Sequence, residues 1–509
     1  MPARFGSARR LLNLCAVTGL SAVIAVALTG FQTPPLSAAA IPSDDKSIGH
    51  VLNRIGYGPR PGDVEKVRRL GLSSYIEQQL HPEGINDSAL EARLDKLETL
   101  NMTTEEIARQ YFLPALMERR QQKREQAENP PPPDPNGAGA PEAPGPAPVP
   151  GTPPRSRQAS EAFMKQRQVM GELSEQKILR AVYSERQLQE VLVDFWFNHF
   201  NVFAGKGPDR VMLTEYERET IRPYVLGNFR DLLGATAHSP AMLFYLDNWM
   251  SAGQTQARQG QQRRATGLNE NYARELMELH TLGVDAGYTQ QDIVEVARAF
   301  TGWTITQPRQ GGGYRFDPRR HDDGEKRVLG HTIKAGGGEQ DGEQVLDLLA
   351  RHPSTSKFIA SKLARRFVGD EPPASLVNRA AARFRETDGN LREVVRTIIT
   401  SPEFFSADAH RAKVKTPFEF VASALRASSA QIQHGRGLVR SLQELGMPLY
   451  FSQPPTGYAD TADAWVNTGG LVNRMNFALS LVENRVPGVR VEPGPVTALM
   501  LGGSDFQRR

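Results

Sequence analysis

Asn269-Glu270-Asn271-Tyr272-Ala273-Arg274-Glu275-Leu276-Met277-Glu278-Leu279-His280-Thr281-Leu282-Gly283 sets two asparagines, three glutamates, an arginine and a histidine into one predicted helix and ends it on glycine. An ordinary amphipathic helix spreads its charges over a solvated face opposite an apolar stripe. Turned by about 100° per residue, this one gathers Asn271, Glu275, Glu278 and Leu282 in a narrow sector, with Arg274 at its edge. Tyr272, Ala273, Leu276, Met277, Leu279, His280 and Gly283 fall on the other side. Gly283 suits a left-handed helix end. Thr289-Gln290-Gln291-Asp292 has the form of a capping box opening a second helix striped with Ile293, Val296, Ala297 and Phe300. The short connection predicts that the two helices fold back on each other, and Gly302, just before Trp303, permits a close backbone approach.

Apolar residues recur at three- and four-residue spacing over 63–80, 88–100, 103–126, 160–182, 185–200, 212–224 and 231–237 before this block. The same spacing continues over 341–350, 354–368, 374–386, 391–400, 417–427, 438–445 and 471–482 after it. Strand signals are confined to 313–316 and 327–331, which read as one small hairpin flanked by glycines. The expected class is mainly α: a multi-helix single large domain with a small β-hairpin and a long Pro/Gly-rich surface insertion. That insertion, 129–156, is nearly all proline, glycine, alanine and a few polar residues, which bury too little apolar surface to offset the entropy of ordering. It separates an N-terminal helical part, 41–128, from the main helical part, 157–485, and 486–509 forms a tail. An interdomain linker is the other reading of 129–156. A second polar stretch, 251–266, is rich in glutamine, arginine and glycine and reads as a loop over the polar helix.

The first 40 residues carry Arg4, Arg9 and Arg10 without an acid, then an apolar run over 14–28, then Ser37-Ala38-Ala39-Ala40. This is the layout of a secretory signal peptide cleaved near 38–40, so the protein is expected to be exported, periplasmic or extracellular. The apolar run approaches the roughly 18 residues of a membrane span, which leaves an uncleaved anchor as the alternative. Removing three arginines takes 61 basic residues to 58 against 57 acidic ones, so the basic balance of the whole chain belongs to its leader. A nucleic-acid binder keeps a basic excess, and none is expected here. The single cysteine, Cys15, lies in the leader, which leaves the remainder without thiols or disulfides.

The chemistry of the polar helix has two readings. One is a solvated stripe with an Arg274–Glu278 pair worth a few tenths of a kcal/mol. The other is a covered pair, Glu275 and Glu278, whose pKa values split so that one donates a proton and the other accepts it. Glu-x-x-Glu-x-His matches neither the Glu-x-x-His of two-iron bundles nor the His-Glu-x-x-His of zinc proteases. His280 lies mid-way across the apolar face and reads as a core histidine or as a base. The run 191–200, Val-Leu-Val-Asp-Phe-Trp-Phe-Asn-His-Phe, is apolar nearly all round and marks a buried helix, with Asp194 and Asn198 sharing a face and His199 beside Trp196. A buried aspartate must be paired, hydrogen-bonded or protonated. His321-Asp322 reads as a turn or as part of a weak metal site with His199. Trp465 stands in an aromatic loop that lines a pocket or caps the core. Gly-x-Ser-x-Gly, phosphate-loop and dinucleotide fingerprints are missing.

Phe195-Trp196-Phe197-Asn198-His199-Phe200, the block 269–303, His321-Asp322 with Lys326, Lys413-Val414-Lys415-Thr416-Pro417-Phe418-Glu419-Phe420 and Trp465-Val466-Asn467 stand in an order that resembles the uncharacterised bacterial family catalogued as domain of unknown function 1800. The resemblance spans about 50–477. It implies a helical, extracytoplasmic protein, with a possible exported partner of the sulfatase or phosphatase kind, and no reaction. The leading expectation is an acid–base hydrolase or lyase acting on an envelope or extracellular polymer. Its catalytic candidates are Glu275, Glu278, His199 and Asp194, with Asn198, Asn269, Asn271, Arg274, His280, Trp303 and Trp465 binding substrate and no cofactor required. The alternatives are a non-enzymatic binding or assembly protein, and a metal-dependent enzyme using His321 and Asp322.

Overall fold

Val169, Leu173, Ile178, Leu179 and Val182 point to several sides of a 27-residue helix, Arg157–Tyr183, and all five are buried, because other helices surround it. Helices Ser88–Leu94, Leu113–Glu128, Gln187–His199, Asp209–Glu215, Pro417–Ala427 and Arg436–Glu444 pack around it. Elements from both ends of the sequence thus share its surface, as expected of one large helical domain. The computed structural model describes residues 41–128, 157–253, 267–307 and 312–509. The expected leader, the insertion 129–156 and all but the first three residues of the 251–266 loop lie outside the described residues.

The buried helix expected around residue 195 is Gln187–His199, with Val191, Leu192, Val193, Phe195, Trp196 and Phe197 all inside. Further along, Gln340–Arg351, Pro353–Phe367, Ala374–Glu386 and Leu391–Ile399 pack in succession. Four long expectations are subdivided, 103–126 and 212–224 by π-turns at Ala108–Phe112 and Tyr216–Ile221. Gly71, at φ +88°, breaks 63–80 into Asp63–Leu70 and Leu72–Leu80, because that conformation ends a helix at little cost only in glycine. The segment 88–100 keeps its helix only to Leu94 and closes with a tight turn, Glu98–Asn101. Helices Asp45–Arg54, Pro240–Tyr245 and Ala498–Gly502 were not foreseen. The last two are too short for a period to show, and the first carries Gly49 in its middle and leans on an Asp44 cap that accepts from the Ser47 amide at 3.0 Å.

The strands exist but pair differently from the expected hairpin. Tyr314–Phe316 pairs antiparallel with Trp303–Ile305, and Lys326–Val328 with His331–Ile333. Trp303 is the reason for the first pairing, since its indole is fully buried between Phe300 and Tyr314. Gly342 lets the following helix settle on that indole, for an added Cβ would stand 2.6 Å from the ring. The turn at Gly302 (φ +83°) is equally close, with the Asp317 carbonyl 2.7 Å from where a Cβ would be.

The polar helix departs from a uniform 100° projection. Its α-helical turns run over Asn271–Glu275 and then widen to a π-turn, Leu276–Thr281. One added residue rotates everything beyond it, so Leu282, projected into the polar sector, is 4% exposed, its amide donating to Met277. Gly283 (φ +86°) and the Thr289–Asp292 capping box form as read.

A buried charge cluster locks the small sheets to the helices. Lys326 Nζ donates to Asp341 Oδ2 at 2.6 Å, with both side chains fully buried, and His321 Nε2 lies 3.1 Å from the same oxygen. Asp322 instead grips Arg298 through two bonds of 2.9 and 3.0 Å. Removing one partner of a buried pair strands the other charge, so Asp341→Ala is expected to lose about 3–5 kcal/mol. Lys66→Ala, which removes a bridge to Glu185 exposed on its lysine side, is expected to lose less than about 1 kcal/mol. Urea unfolding of the two variants checks the contrast, and equal losses would contradict it.

Candidate functional site

A cleft of about 290 Å³ opens between helices Gln187–His199 and Pro353–Phe367, the start of Pro417–Ala427 and the segment 447–461. Asp194 and Asn198, one turn apart on an otherwise apolar helix, both line it, with His199 beside them. Asp194 is held by Lys177 Nζ at 2.7 Å, and that ammonium sits 5.2–5.5 Å from the rings of Tyr450, Phe418 and Phe197. A partly buried carboxylate and its cation thus satisfy each other.

Two asparagines fasten the opposite wall. Asn198 Nδ2 donates to the Tyr458 carbonyl and its Oδ1 accepts from the Tyr458 amide, each at 2.8 Å. Asn201 Nδ2 donates to Ser452 and Pro454 carbonyls at 3.0 and 2.9 Å. The approach requires Gly457 (φ +71°), since a Cβ there would lie 2.4 Å from the Asn198 carbonyl. Trp465 Nε1 donates to the Ala459 carbonyl at 2.9 Å and packs its ring near Tyr458, bracing the same loop from outside.

The floor of the cleft is cationic. Lys362, Arg365 and Arg366 fall at i, i+3 and i+4 of one helix and so share a face, and all three line the cavity. Arg366 is neutralised by Glu419, with Asp460 3.9 Å away. Arg365 Nε donates to the Asp370 carbonyl at 3.0 Å, and among the described residues no carboxylate lies within 4 Å of its guanidinium. Lys362 has no carboxylate within 4 Å among the described residues, and its ammonium rests 5.5 Å from the Phe358 ring. Burial lowers its pKa to about 8, with Asp460 opposing and Arg365 reinforcing the shift. Counting Lys177, four cations line the cleft against the carboxylates of Asp194 and Asp460. His199, 2% exposed, adds no charge, because burial and then Lys362 and His280 hold its pKa well below the usual value. Its Nε2 lies 3.1 Å from the His280 carbonyl, which fixes that nitrogen as the donor and leaves Nδ1 a buried acceptor without a partner.

The other expected residues are placed elsewhere. Asn269 and Asn271 donate to the carbonyls of Asp247 and Leu246, tying down the preceding loop. Arg274 bridges Glu270 at 3.5 Å, Glu278 at 3.7 Å and Gln290 at 3.1 Å on a half-exposed surface. Glu275 and Glu278 are half-buried there and do not line the cleft. Burial, then Glu278, raises the Glu275 pKa, with Arg274 opposing. His280 is a core histidine at the back of His199, its pKa lowered to about 3 by burial. Trp303 is core, and His321 and Asp322 belong to the separate cluster around Asp341 and Arg298. Among the described residues, no three or more His, Cys, Asp or Glu side chains converge as metal ligands do.

Sequence reasoning therefore found one wall of the cleft, Asp194, Asn198 and His199, and missed the floor. The overlooked signal was Lys362-Leu-Ala-Arg365-Arg366-Phe367, three cations on one face of a helix that buries Ile359, Ala360, Leu363, Ala364 and Phe367.

No curated protein and no solved structure matches the chain. A family model described as a protein of unknown function, DUF1800, matches residues 50–505, and by that match over most of its length the chain belongs to this family.

Proposed function

We propose that the protein is an exported acid–base enzyme that binds one anionic unit of an envelope or extracellular polymer in the Lys362 cleft. The observation that carries this reading is a half-buried lysine with no carboxylate within 4 Å among the described residues, beside an arginine that likewise has none among them. Protein interiors pair their charges, and a half-buried cation left open is poised for an anion brought from outside. At about 290 Å³ the cleft lies at the small end of ligand pockets, room for a single unit.

The chemistry follows from Lys362. A pKa of about 8 leaves Lys362 mostly protonated at neutral pH but close enough to exchange its proton, the match that general acid catalysis favours. His199 lines the same cavity, but its Nδ1 is covered and its pKa is held well below the usual value, so it shapes the wall and takes no proton. Lys362 then gives its proton toward a leaving oxygen and, once deprotonated, takes one back from water or from carbon on the substrate, an arrangement open to a hydrolase or a lyase. In this reading the proton is exchanged by Lys362 rather than by Glu275 and Glu278.

Calorimetric titration with inorganic sulfate and with a uronate oligomer tests the site. A charge-assisted hydrogen bond contributes about 1.5–3 kcal/mol, so Lys362→Met is expected to weaken anion binding roughly 10–100-fold. Glu275→Gln and Glu278→Gln are expected to leave it within about twofold. Unchanged binding in the lysine variant, with loss in either glutamine variant, would return the site to the polar helix.

The pH dependence has a definite sign. The charged and titratable groups acting on Lys362 are Asp460 and Arg365, with His199 and His280 neutral beside it. Lys362 carries its charge below about pH 8 and sheds it above, so anion affinity is expected to be full below that pH and to fall as pH rises through it. The Lys362→Met variant should show a flat profile over the same range, and a wild-type profile equally flat would rule out Lys362 as the anion's partner.

A further inference from the structure

A second and larger cavity, about 910 Å³, lies between helix Asp45–Arg54, the segment 410–415, helix Pro417–Ala427 and the C-terminal stretch 499–509. Its chemistry is divided. On the inner side stands Lys415, 3% exposed, whose ammonium lies 4.0 Å from the centre of the Phe506 ring. Among the described residues no carboxylate comes within 4 Å of it, and the nearby carboxylate, Glu419, is engaged by Arg366 and by Arg509 at 3.1 Å. Arg509 also lines the cavity, and its own Nε finds no acceptor.

The mouth is mixed: the charged side chains of Asp45, Lys46, Arg411, Asp505 and Arg508 stand exposed on it together with two large apolar ones. Leu499 and Met500 line it and are 82% and 57% exposed. Their helix, Ala498–Gly502, packs on Thr468–Val482, which turns Leu471, Val472, Met475 and Leu479 outward, each at least 41% exposed. Met475 lies beside Gly502, where an added Cβ would stand 3.4 Å from the Met475 Cγ, so the apolar strip runs on from the rim of the cavity. Apolar side chains scattered singly need no explanation, whereas a contiguous strip leading into a cavity marks a binding surface.

We infer that this cavity binds a single-chain anionic amphiphile, with a carboxylate or phosphate head at Lys415 and an alkyl chain laid over Leu499 and Met500 toward Met475. Each half of the site fits one half of such a molecule. A covered cation over an aromatic ring holds an anion, and the exposed leucine and methionines cover methylene groups, each worth about 0.8 kcal/mol when buried. Flexible methionines suit chains of varied shape. The inference does not depend on the Lys362 cleft, which shares no lining residue with this cavity.

The test is calorimetric titration of the purified protein with octanoate and octyl phosphate as monomers. Octan-1-ol, inorganic phosphate and phosphatidylglycerol vesicles are run alongside. Expected is saturable 1:1 binding of both octyl anions, at least tenfold tighter than octan-1-ol or phosphate. Lys415→Met should weaken it tenfold or more, and Lys362→Met should leave it unchanged. Because Lys415 is buried, the exposed variants Leu499→Ser and Met500→Ser provide a second measure, each expected to weaken octyl anions several-fold. Equal affinity for octan-1-ol would overturn the role of the cation, and phosphate binding as tightly as octyl phosphate would overturn that of the rim. Binding to vesicles without binding of monomers would show surface adsorption and overturn the inference, as would full octyl-anion affinity in the Lys415 and Leu499 variants.

Discussion

Glu419 holds the centre of this molecule together because it is a fully covered carboxylate serving several covered cations. Burial pushes its carboxyl up, and Arg366 and Arg509 more than reverse that, holding its pKa at about 2. It also closes the N-terminus of its own helix, accepting from the Thr416 amide at 2.9 Å while its amide bonds the Thr416 hydroxyl. Cap, ion pair and helix position therefore fix one another. One carboxylate so engaged has nothing left for Lys362 or Lys415, which flank it in two separate cavities. The positive excess on both sides is a consequence of how this pair is buried.

Leaving lysines in that state has a thermodynamic signature. Burial lowers the pKa of Lys415 to about 7 and of Lys362 to about 8. An unfolded lysine keeps its proton to about pH 10.4. Between those values the unfolded chain binds more protons, so these two groups make the fold more stable as pH rises and less stable at neutral pH. An anion bound at either lysine reverses the effect by favouring the charged form. Sites that tolerate such internal cost are commonly functional, and here the surrounding structure is rigid enough to sustain it: Asn198, Asn201, Gly457 and Trp465 tie the cleft wall by backbone bonds.

Much of this architecture was legible from local pattern. Three- and four-residue spacing located the helices from 157 to 482, and capping chemistry at Thr289 and the left-handed glycine at 283 set ends that the structure keeps. The all-round apolar helix near residue 195 was recognisable as buried, and its lone polar pair, Asp194 and Asn198, faces the cleft. What was not legible arose from tertiary packing. A π-turn shifts the phase of the polar helix after Glu275, strands three residues long choose partners by where Trp303 is buried, and Asn269 and Asn271 bond a neighbouring loop. The cations of the cleft floor carried no signal of a site in the helical spacing over 354–368, because only the arrival of the 447–461 segment makes a cavity beside them.

The account stands on Lys362 and Arg365 together holding an anion in a cleft that Glu419 cannot neutralise. Diffraction from crystals soaked in selenate measures this directly, since the selenium gives an anomalous signal wherever the anion is held. The account predicts a selenate in the cleft within hydrogen-bond distance of Lys362 Nζ and the Arg365 guanidinium. Selenate at exposed arginines such as Arg379 or Arg440, with none in the cleft, would contradict it.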